Sequence, residues 1–222
     1  DVFKRKGAYE VTFCQLDGIK GGNKGNVREQ FALVLDRLGY KYSKNKKIGL
    51  TVIQKALWEF FTPLGNCYTK HIPFEYKNLP IAKLKVMIHW MLMGDGSTRL
   101  RAARDTEERE FYSCNLRLAK DFQEIAAKCG WGSTCRIRDI ANECVTKNGV
   151  TIQSRLPIYV VSLYQSRAAY LRSTDKGSYV SKIQYSGRVY CVEMPFGNAI
   201  LVRRNGRVCW SGNSLRGPSH DG

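Results

Sequence analysis

One carboxylate in this chain lies where helix energetics disfavour it. Residues 81–97 form a long apolar pattern that predicts a helix ending in Gly94-Asp95-Gly96. The C-terminal end of a helix carries partial negative charge, so an aspartate there requires some other partner. A hard cation such as Mg²⁺ is the simplest partner, and two such carboxylates hold metal ions across a phosphodiester. On spacing alone, a plain Gly-Asp-Gly turn between a buried helix and a strand is the simpler interpretation.

The cysteines and histidines do not indicate a zinc site. No two cysteines form a C-x-x-C pair, and the chain has three histidines. The cysteine density is also below that of a disulfide scaffold, so we expect reduced and mostly buried thiols. The eight cysteines are Cys14, Cys67, Cys114, Cys129, Cys135, Cys144, Cys191 and Cys209.

The charge balance favours a polyanionic partner. The 222 residues include 36 Lys and Arg against 19 Asp and Glu, a net charge of +17. The excess is spread over both halves and the tail, which suits a long continuous surface such as a DNA groove. A basic protein with solvated faces is the alternative. No apolar run reaches the ~18 residues of a membrane span, and the first residues lack the apolar core of a secretory signal, so we expect no membrane partner. The reduced thiols expected above indicate a cytoplasm.

The chain contains an internal repeat. Phe31, Gly39 and Tyr40 recur at one constant offset as Phe122, Gly130 and Trp131, and Glu10–Gln15 resembles Glu110–Asn115. At a second constant offset, Thr51–Gln54 resembles Ser162–Gln165, and Tyr68–Ile72 resembles Tyr179–Ile183. Two constant offsets shared by three of these four segments argue against chance similarity.

Each copy predicts the same order of elements. A strand (Tyr9–Cys14; Glu110–Cys114) precedes an amphipathic helix, and a second strand (Tyr40–Ser43; Thr134–Arg138) follows. A later strand then enters another helix (Leu50–Phe61; Ile158–Arg172). The predicted apolar faces of the first helices are Phe31, Val34, Leu35 and Leu38, and Phe122, Ile125, Ala126 and Cys129. Gly39 and Gly130 are predicted helix C-caps, and the order as a whole indicates an α+β fold.

Three further segments complete the predicted organisation. The stretch between Pro73 and Pro80 fits a linker between the copies, and the polar stretch Asp139–Leu156 fits a loop or hairpin. In the tail, alternation predicts strands at Val189–Met194 and Ala199–Val202. A third tail strand, Arg207–Trp210, follows an Asn205-Gly206 hairpin turn.

The segment Ile88-His-Trp-Met-Leu-Met-Gly-Asp-Gly96 resembles the motif of LAGLIDADG homing endonucleases. The resemblance implies a pseudo-twofold pair of αββαββα repeats whose two motif helices each deliver a metal-binding aspartate, with two four-stranded sheets forming a saddle on double-stranded DNA. Asp95 would then bind the catalytic Mg²⁺. Lys70-His71-Ile72-Pro73 resembles an element that precedes the second motif in intein-borne members. This resemblance implies that Lys70 lies near the scissile phosphate and that Lys182 is its loose counterpart in the second copy. The alternative for Lys70 is a solvated surface charge.

The sequence departs from this family because no first motif with its acid precedes the first strand. Either this chain is a fragment or a partner polypeptide supplies that motif, so we do not expect this chain alone to cleave both DNA strands.

The segment from Gly187 to Ser214 resembles the C-terminal end of an intein. The resemblance implies that the amide nitrogen of Asn213 attacks its own backbone carbonyl, forming a succinimide and cutting the chain, while the Ser214 hydroxyl accepts an acyl chain. Small Gly212 leaves room for the backbone to bend. Intein splicing domains often carry LAGLIDADG nucleases, so the two resemblances support each other.

This segment also departs from the intein pattern. The usual penultimate His is Gly212, and Cys191 replaces the usual Asp. One intein class uses a Cys there as the first branch nucleophile, with a Thr at the place of Ser211. Cys191 is therefore such a nucleophile, an acid/base substitute, or a packed strand thiol. The N-terminal splicing half is absent, so a split intein or a truncation is expected, and this chain alone should not splice.

These interpretations give a division of the chain into four parts. Residues 1–80 form a first LAGLIDADG repeat without its acidic helix, 81–184 a second repeat, 185–213 the C-terminal segment of the HINT splicing domain, and 214–222 C-extein residues of the host. Ser214–Gly222 weakly resembles phage large terminase subunits, which implies a phage-infected or bacterial cell. The alternatives are a free-standing homing endonuclease and a degenerate remnant that only binds DNA.

Overall fold

The computed structural model describes the chain with several gaps. The described residues are 2–5, 7–14, 27–45, 49–101, 106–138, 144–147, 150–153, 156–165, 173–174, 177–178, 184–188, 190, 192, 194, 197 and 199–212.

The first copy folds as one antiparallel sheet covered by helices. Its elements are β1 (Val2–Arg5), β2 (Ala8–Phe13), α1 (Val27–Arg37), β3 (Tyr42–Asn45), β4 (Gly49–Ile53) and α2 (Lys55–Phe61). The strand order is β1-β2-β4-β3, with all neighbours antiparallel. The predicted elements of this copy are thereby confirmed, with ends shifted by one or two residues.

The second copy repeats this topology. Its elements are α4 (Ile81–Asp95), β5 (Gly96–Arg101), β6 (Thr106–Ser113), α5 (Leu116–Lys128), β7 (Trp131–Arg138), β8 (Cys144–Lys147), β9 (Val150–Gln153) and β10 (Ile158–Gln165). Four of its strands lie in the order β5-β6-β10-β7, which matches β1-β2-β4-β3. Strands β8 and β9 form a hairpin, which is one of the two structures predicted for the polar stretch Asp139–Leu156. The predicted helix after β10 lies outside the described residues.

The strand registers identify which residues of the two copies correspond. Thr12 lies opposite Thr51 in the first sheet, and Glu110 lies opposite Ser162 in the second. Phe13 stacks on Phe31 as Phe111 stacks on Phe122. Phe13 therefore corresponds to Phe111, which shifts the sequence alignment of these strands by two residues. A shift of two keeps every side chain on its own face, so the sequence pattern alone could not detect it.

The larger core of the described residues lies in the second copy, where α5 packs on the sheet, and a smaller one around Leu35 and Leu50 lies in the first copy. Phe122, Ile125 and Ala126 of α5 are fully buried, as their spacing predicts. The side chain of Asn115 caps α5 by accepting bonds from the backbone N–H groups of Arg117 and Leu118. Gly130, with φ +84°, ends this helix as predicted.

The first copy is less completely covered. Leu35 is buried in α1, but Val34 is 37% exposed and Leu38 is 64% exposed, so two of the four predicted core positions of this helix face outward. The two copies meet where Phe31 of α1 contacts Trp90 of α4, with ring centroids 5.2 Å apart.

The predicted linker between the two copies contains a short helix. A 3₁₀ turn (Thr62–Leu64) is followed by a one-turn helix, α3 (Phe74–Lys77), between Pro73 and Pro80. A four-residue helix has too little periodicity to be recognised in a sequence. Lys77 of α3 forms ion pairs with Asp121 at 3.2 Å and Glu124 at 2.9 Å, which join the segment to α5.

The tail adds two strands to the second sheet. After the short strands β11 (Ser173–Thr174) and β12 (Gly177–Ser178), β13 (Ala199–Arg204) and β14 (Arg207–Gly212) form the predicted hairpin around Asn205-Gly206. β14 pairs with β7, giving a six-stranded order β13-β14-β7-β10-β6-β5. The predicted strand Val189–Met194 is not formed at its described residues Tyr190, Val192 and Met194.

The cysteines differ from expectation in their burial. Six have described side chains and are free thiols: Cys14, Cys67, Cys114, Cys129, Cys135 and Cys209. None of these six is buried, so the prediction of mostly buried thiols is wrong for them. Partial burial nevertheless raises the pKa of the Cys129 and Cys135 thiols.

Candidate nuclease site and nucleic-acid interface

The structure brings together two residues that the sequence places 25 positions apart. The Nζ atom of Lys70 lies 3.6 Å from Oδ2 of Asp95, and their side chains are 38% and 57% exposed. An ion pair this exposed stabilises the fold by only about 0–1 kcal/mol. Stability therefore does not explain the pair, and both charges are accessible to a ligand.

Asp95 is held by the packing of the helix that it ends. Leu84, Ile88 and Leu92 form the buried face of α4 against the second sheet. Gly96 follows directly, and a Cβ atom there would lie 2.7 Å from the carbonyl oxygen of Glu110. The glycine thus permits the close approach of the helix end to β6, whereas the exposed Asp95 carboxylate has no such packing role.

Lys70 is positioned by a loop anchored to α5. Its carbonyl accepts a 2.7 Å bond from Nδ2 of Asn115, and its N–H donates to the carbonyl of Asn66 at 2.8 Å. The N–H of Ile72 donates to Oδ2 of Asp121 at 3.0 Å in a buried contact. These bonds fix the backbone on both sides of Lys70 and thereby fix where its ammonium group can reach.

Replacing Asp121 with alanine is expected to lower the free energy of unfolding by about 2–3 kcal/mol, because it leaves the buried Ile72 N–H without a partner and removes a partly buried charge beside Lys77. Chemical denaturation measures this change. The matched control is Glu59→Gln in the exposed Lys55–Glu59 pair, which should change stability by less than about 0.5 kcal/mol. Equal effects of the two variants would show that Asp121 does not anchor the loop.

The described side chains near Asp95 supply only part of the ligands that a metal ion needs. Within the described ranges, no group of three or more His, Cys, Asp and Glu side chains is arranged to hold a metal. Mg²⁺ is usually held by one or two carboxylates, with waters and substrate phosphates as its other ligands. A single exposed carboxylate fits one of those places, so a second acid and a phosphate group would have to complete the shell.

A polar network covers the open face of the second sheet, opposite the helices. The Glu110 carboxylate accepts bonds from the Tyr112 hydroxyl at 2.7 Å, the Ser162 hydroxyl at 2.9 Å and Nη2 of Arg136 at 2.9 Å. Ser97 lies 3.1 Å from the Tyr112 hydroxyl at the edge of the same network. Partial burial raises the pKa of Glu110, but the hydrogen bonds from Tyr112 and Ser162 and the charge of Arg136 outweigh it, so the pKa lies below its ordinary value. Glu110 is therefore ionised at neutral pH and orients the exposed Arg136.

The pH dependence of stability follows from this shift. A carboxyl whose pKa is lowered in the folded state stabilises the protein above its unfolded pKa, near 4.5, and loses that contribution as pH falls through the folded pKa. We expect Glu110→Gln to be less stable than the wild type near neutral pH and the two to converge as pH falls through the lowered pKa of Glu110. Urea unfolding at several pH values measures the difference. A gap that stays constant down to low pH would contradict the assignment.

The open faces of the two sheets differ in charge. Arg99, Arg136 and Arg138 lie on the open face of the second sheet. Arg99 is two residues from Ser97 on β5, which lies opposite Glu110, and Arg136 is two residues from Thr134 on β7, which lies opposite Ser162. On the first sheet the corresponding face carries Thr12 and Thr51, whose hydroxyls lie 3.1 Å apart. The second sheet thus presents more guanidinium groups to a polyanion.

The predicted splicing residues are only partly described. Asn213, Ser214 and Cys191 lie outside the described residues, and so does Lys182. Ser211 and Gly212 end β14, where Gly212 lies opposite Ala199 on β13.

Sequence reasoning did not identify the Glu110 network or the attachment of the tail hairpin to the second sheet. The alternation of Glu108, Glu110 and Tyr112 with Arg109 and Phe111 signals a polar strand face, but the Arg136 and Ser162 partners come from strands distant in sequence.

No helix among the described residues is both long enough and apolar enough to cross a bilayer.

Comparison with known proteins gives distant similarities. No known family model matches the chain. A protein of Stigeoclonium helveticum named DNA-directed RNA polymerase subunit beta C-terminal section is 26% identical over 220 residues, which covers 86% of this chain and 20% of that protein. The ATP-dependent Clp protease proteolytic subunit of Chlamydomonas moewusii is 23% identical over 190 residues, 85% of this chain and 17% of that protein. The chain thus spans a fifth or less of these curated relatives.

Solved structures of the homing endonuclease I-DmoI are also similar. Its complex with DNA and Mn has a TM-score of 0.44 and 15% identity, covering 74% of this chain and 80% of that one. Its complex with DNA and Ca has a TM-score of 0.45 and 15% identity, covering 74% of each chain.

Proposed function

We propose that this chain is the C-terminal part of an intein that carries a LAGLIDADG-type DNA endonuclease domain. The observation that carries the nuclease assignment is the convergence of Lys70 and Asp95, 3.6 Å apart, at the accessible end of α4. The proposed substrate is double-stranded DNA.

In the proposed reaction, each residue of the pair has a distinct part. Asp95 would hold the metal, Mg²⁺ in the simplest case, which when bound activates water and polarises the phosphodiester. The Lys70 ammonium, fixed by its anchored loop, would stabilise the negative charge that develops on the phosphate oxygens in the transition state. Lys182 is proposed to do the same in the second copy.

The described residues also favour a partner helix for the first copy. The second copy begins with α4, which packs on Phe111, whereas Phe13 at the corresponding place lines an open cavity of about 620 Å³. Val11 and Leu118 line the same cavity, and Lys70 lies at its edge. An apolar helix ending in an acid, supplied by the N-terminal half of the intein, would fill this surface and bring a second carboxylate towards the Lys70–Asp95 pair.

The names of the curated relatives favour a segment that is inserted into host proteins. Their names describe an RNA polymerase subunit and a protease subunit, which share no activity, and the matching segment is a fifth or less of each. A segment common to two unrelated proteins is what a mobile insertion within host proteins predicts.

The proposed splicing chemistry uses the residues around the C-terminal junction. Asn213 cyclises, Ser214 accepts the acyl chain, and Gly212 and Ser211 form the approach to the bond at the end of β14. Cys191 is a branch nucleophile or an acid/base group. Residues 185–213 would then belong to the splicing domain and 214–222 to the host extein, with a phage large terminase subunit in a bacterial cytoplasm as one proposed host.

A second candidate, a remnant that binds DNA without cutting it, is favoured by one specific observation: the described residues provide a single acid at the site. A free-standing homing endonuclease with a merely structural tail is the third candidate.

The test is to supply the upstream half in cis and incubate the protein with a duplex that carries the host gene joined across the insertion. The leading proposal predicts Mg²⁺-dependent double-strand cleavage at the junction. Tight binding without cleavage would select the remnant, and cleavage without any splicing would select the free-standing enzyme.

A further inference from the structure

The β13–β14 hairpin is an integral part of the second sheet. The carbonyl of Gly206 accepts bonds from the N–H of Cys135 at 2.7 Å and from Nε2 of the fully buried Gln123 at 2.9 Å. A Cβ atom at Gly206 would lie 2.2 Å from the Cys135 carbonyl oxygen, so the turn fits closely on β7. Val208 is buried, and the indole N–H of Trp210 donates to the carbonyl of Ala127 at 3.3 Å.

The strand registers place two arginines of this hairpin on the open face. Directly opposed residues of paired strands lie on the same face of a sheet. One continuous row therefore crosses all six strands on the open face: Ser97, Glu110, Ser162, Thr134, Arg207 and Arg204.

The third arginine of the hairpin points the other way. Arg203 lies opposite Val208, on the helix side, where its guanidinium donates to the carbonyl of Lys120 at 2.8 Å. Arg204 and Arg207 are exposed, and within the described part of the chain no acidic side chain forms an ion pair with either. Residues 199–212 contain no Asp or Glu, so the added face is purely basic.

The first sheet has four described strands, and none of them corresponds to β13 or β14 of the second sheet. Two further strands at ~4.8 Å spacing lengthen the second sheet by roughly 10 Å, which corresponds to about three base pairs of duplex. Guanidinium groups bind phosphate oxygens through paired hydrogen bonds.

We propose that the C-terminal hairpin is an additional DNA-binding arm, in which Arg204 and Arg207 bind backbone phosphates beyond the part of the duplex covered by the four repeat strands. This inference rests on the proposed DNA-binding function and makes the footprint longer on the side of the second copy. The same hairpin leads directly into the proposed splice junction.

The test measures the binding constant K of two double variants and one single variant for a fluorescent 40-base-pair duplex of mixed sequence, over a range of salt concentrations. For Arg204→Gln/Arg207→Gln, the slope of log K against log[salt] should become shallower by about 1.8, since each phosphate contact contributes about 0.9. Each lost contact should weaken binding about eightfold at 0.1 M salt. Arg203→Gln removes the same kind of charge from the opposite face and should leave the slope unchanged. The Arg204→Lys/Arg207→Lys variant keeps the charges and should retain the slope.

Thermal unfolding of each variant shows whether the hairpin remains folded. An unchanged slope in the double Gln variant, or an equal loss in Arg203→Gln, would overturn the hairpin proposal while DNA binding itself stands. Failure of the wild-type chain to bind any duplex would instead overturn the proposed function.

Discussion

Replacing Asn213 with alanine is expected to leave the peptide bond between residues 213 and 214 intact when the intein is completed by its N-terminal half. In the proposed step, the side-chain amide nitrogen bonds to the carbonyl carbon of Asn213, the bond to the Ser214 nitrogen breaks, and a proton passes to the released amine. Alanine has no nucleophile for this step, so cleavage should fall at least about 100-fold, the scale lost with an essential catalytic group. Gel and mass analysis of the products measures the loss.

The control for this variant is Asn213→Gln, which keeps the amide but lengthens the side chain by one methylene. The longer chain disfavours the five-membered ring, so this variant should also block cleavage. Both variants should unfold at the wild-type temperature, because residue 213 follows the last described strand. Cleavage at this bond in both variants would remove the splicing role.

Replacing Asp95 with asparagine should abolish DNA cleavage while DNA affinity changes little. Asparagine keeps the shape of the side chain but removes the charge that would hold a metal ion at the end of α4. Loss of one such electrostatic group typically lowers the rate about 10²–10³-fold. The stability change should be below about 1 kcal/mol, since only the exposed ion pair with Lys70 is lost. Cleavage kinetics and a binding titration on the same duplex separate the two effects.

A matched Asp→Asn control is available on the first copy. Asp36 of α1 accepts a bond from the Tyr42 hydroxyl in an exposed contact and has no proposed part in cleavage. Asp36→Asn should cut DNA at the wild-type rate. Asp95→Asn cutting as fast as Asp36→Asn would show that Asp95 is a plain turn residue.

The sequence predicted those parts of the fold that depend on local periodicity. The apolar spacing of α5 and the long apolar run of α4 identified both helices, and the internal similarity predicted two copies with the same order of elements. The position of Asp95 at a helix end was likewise readable, because helix length and the Gly-Asp-Gly sequence define it.

The remaining features depend on contacts between distant segments. The placement of Lys70 beside Asp95 depends on bonds from Asn115 and Asp121, which no spacing rule reveals. β14 pairs with the exposed edge of β7. The alternation of apolar and polar residues along a hairpin does not specify which exposed strand edge it joins. The Glu110–Arg136 contact likewise required the strand order to be known.

The most direct measurement is the intact mass of the host protein after expression with the complete inserted segment. The proposed splicing mechanism predicts a host protein whose flanking parts are joined by a normal peptide bond at Ser214, together with a released segment that ends at Asn213. A single product that retains the segment, with the 213–214 bond uncut, would contradict it.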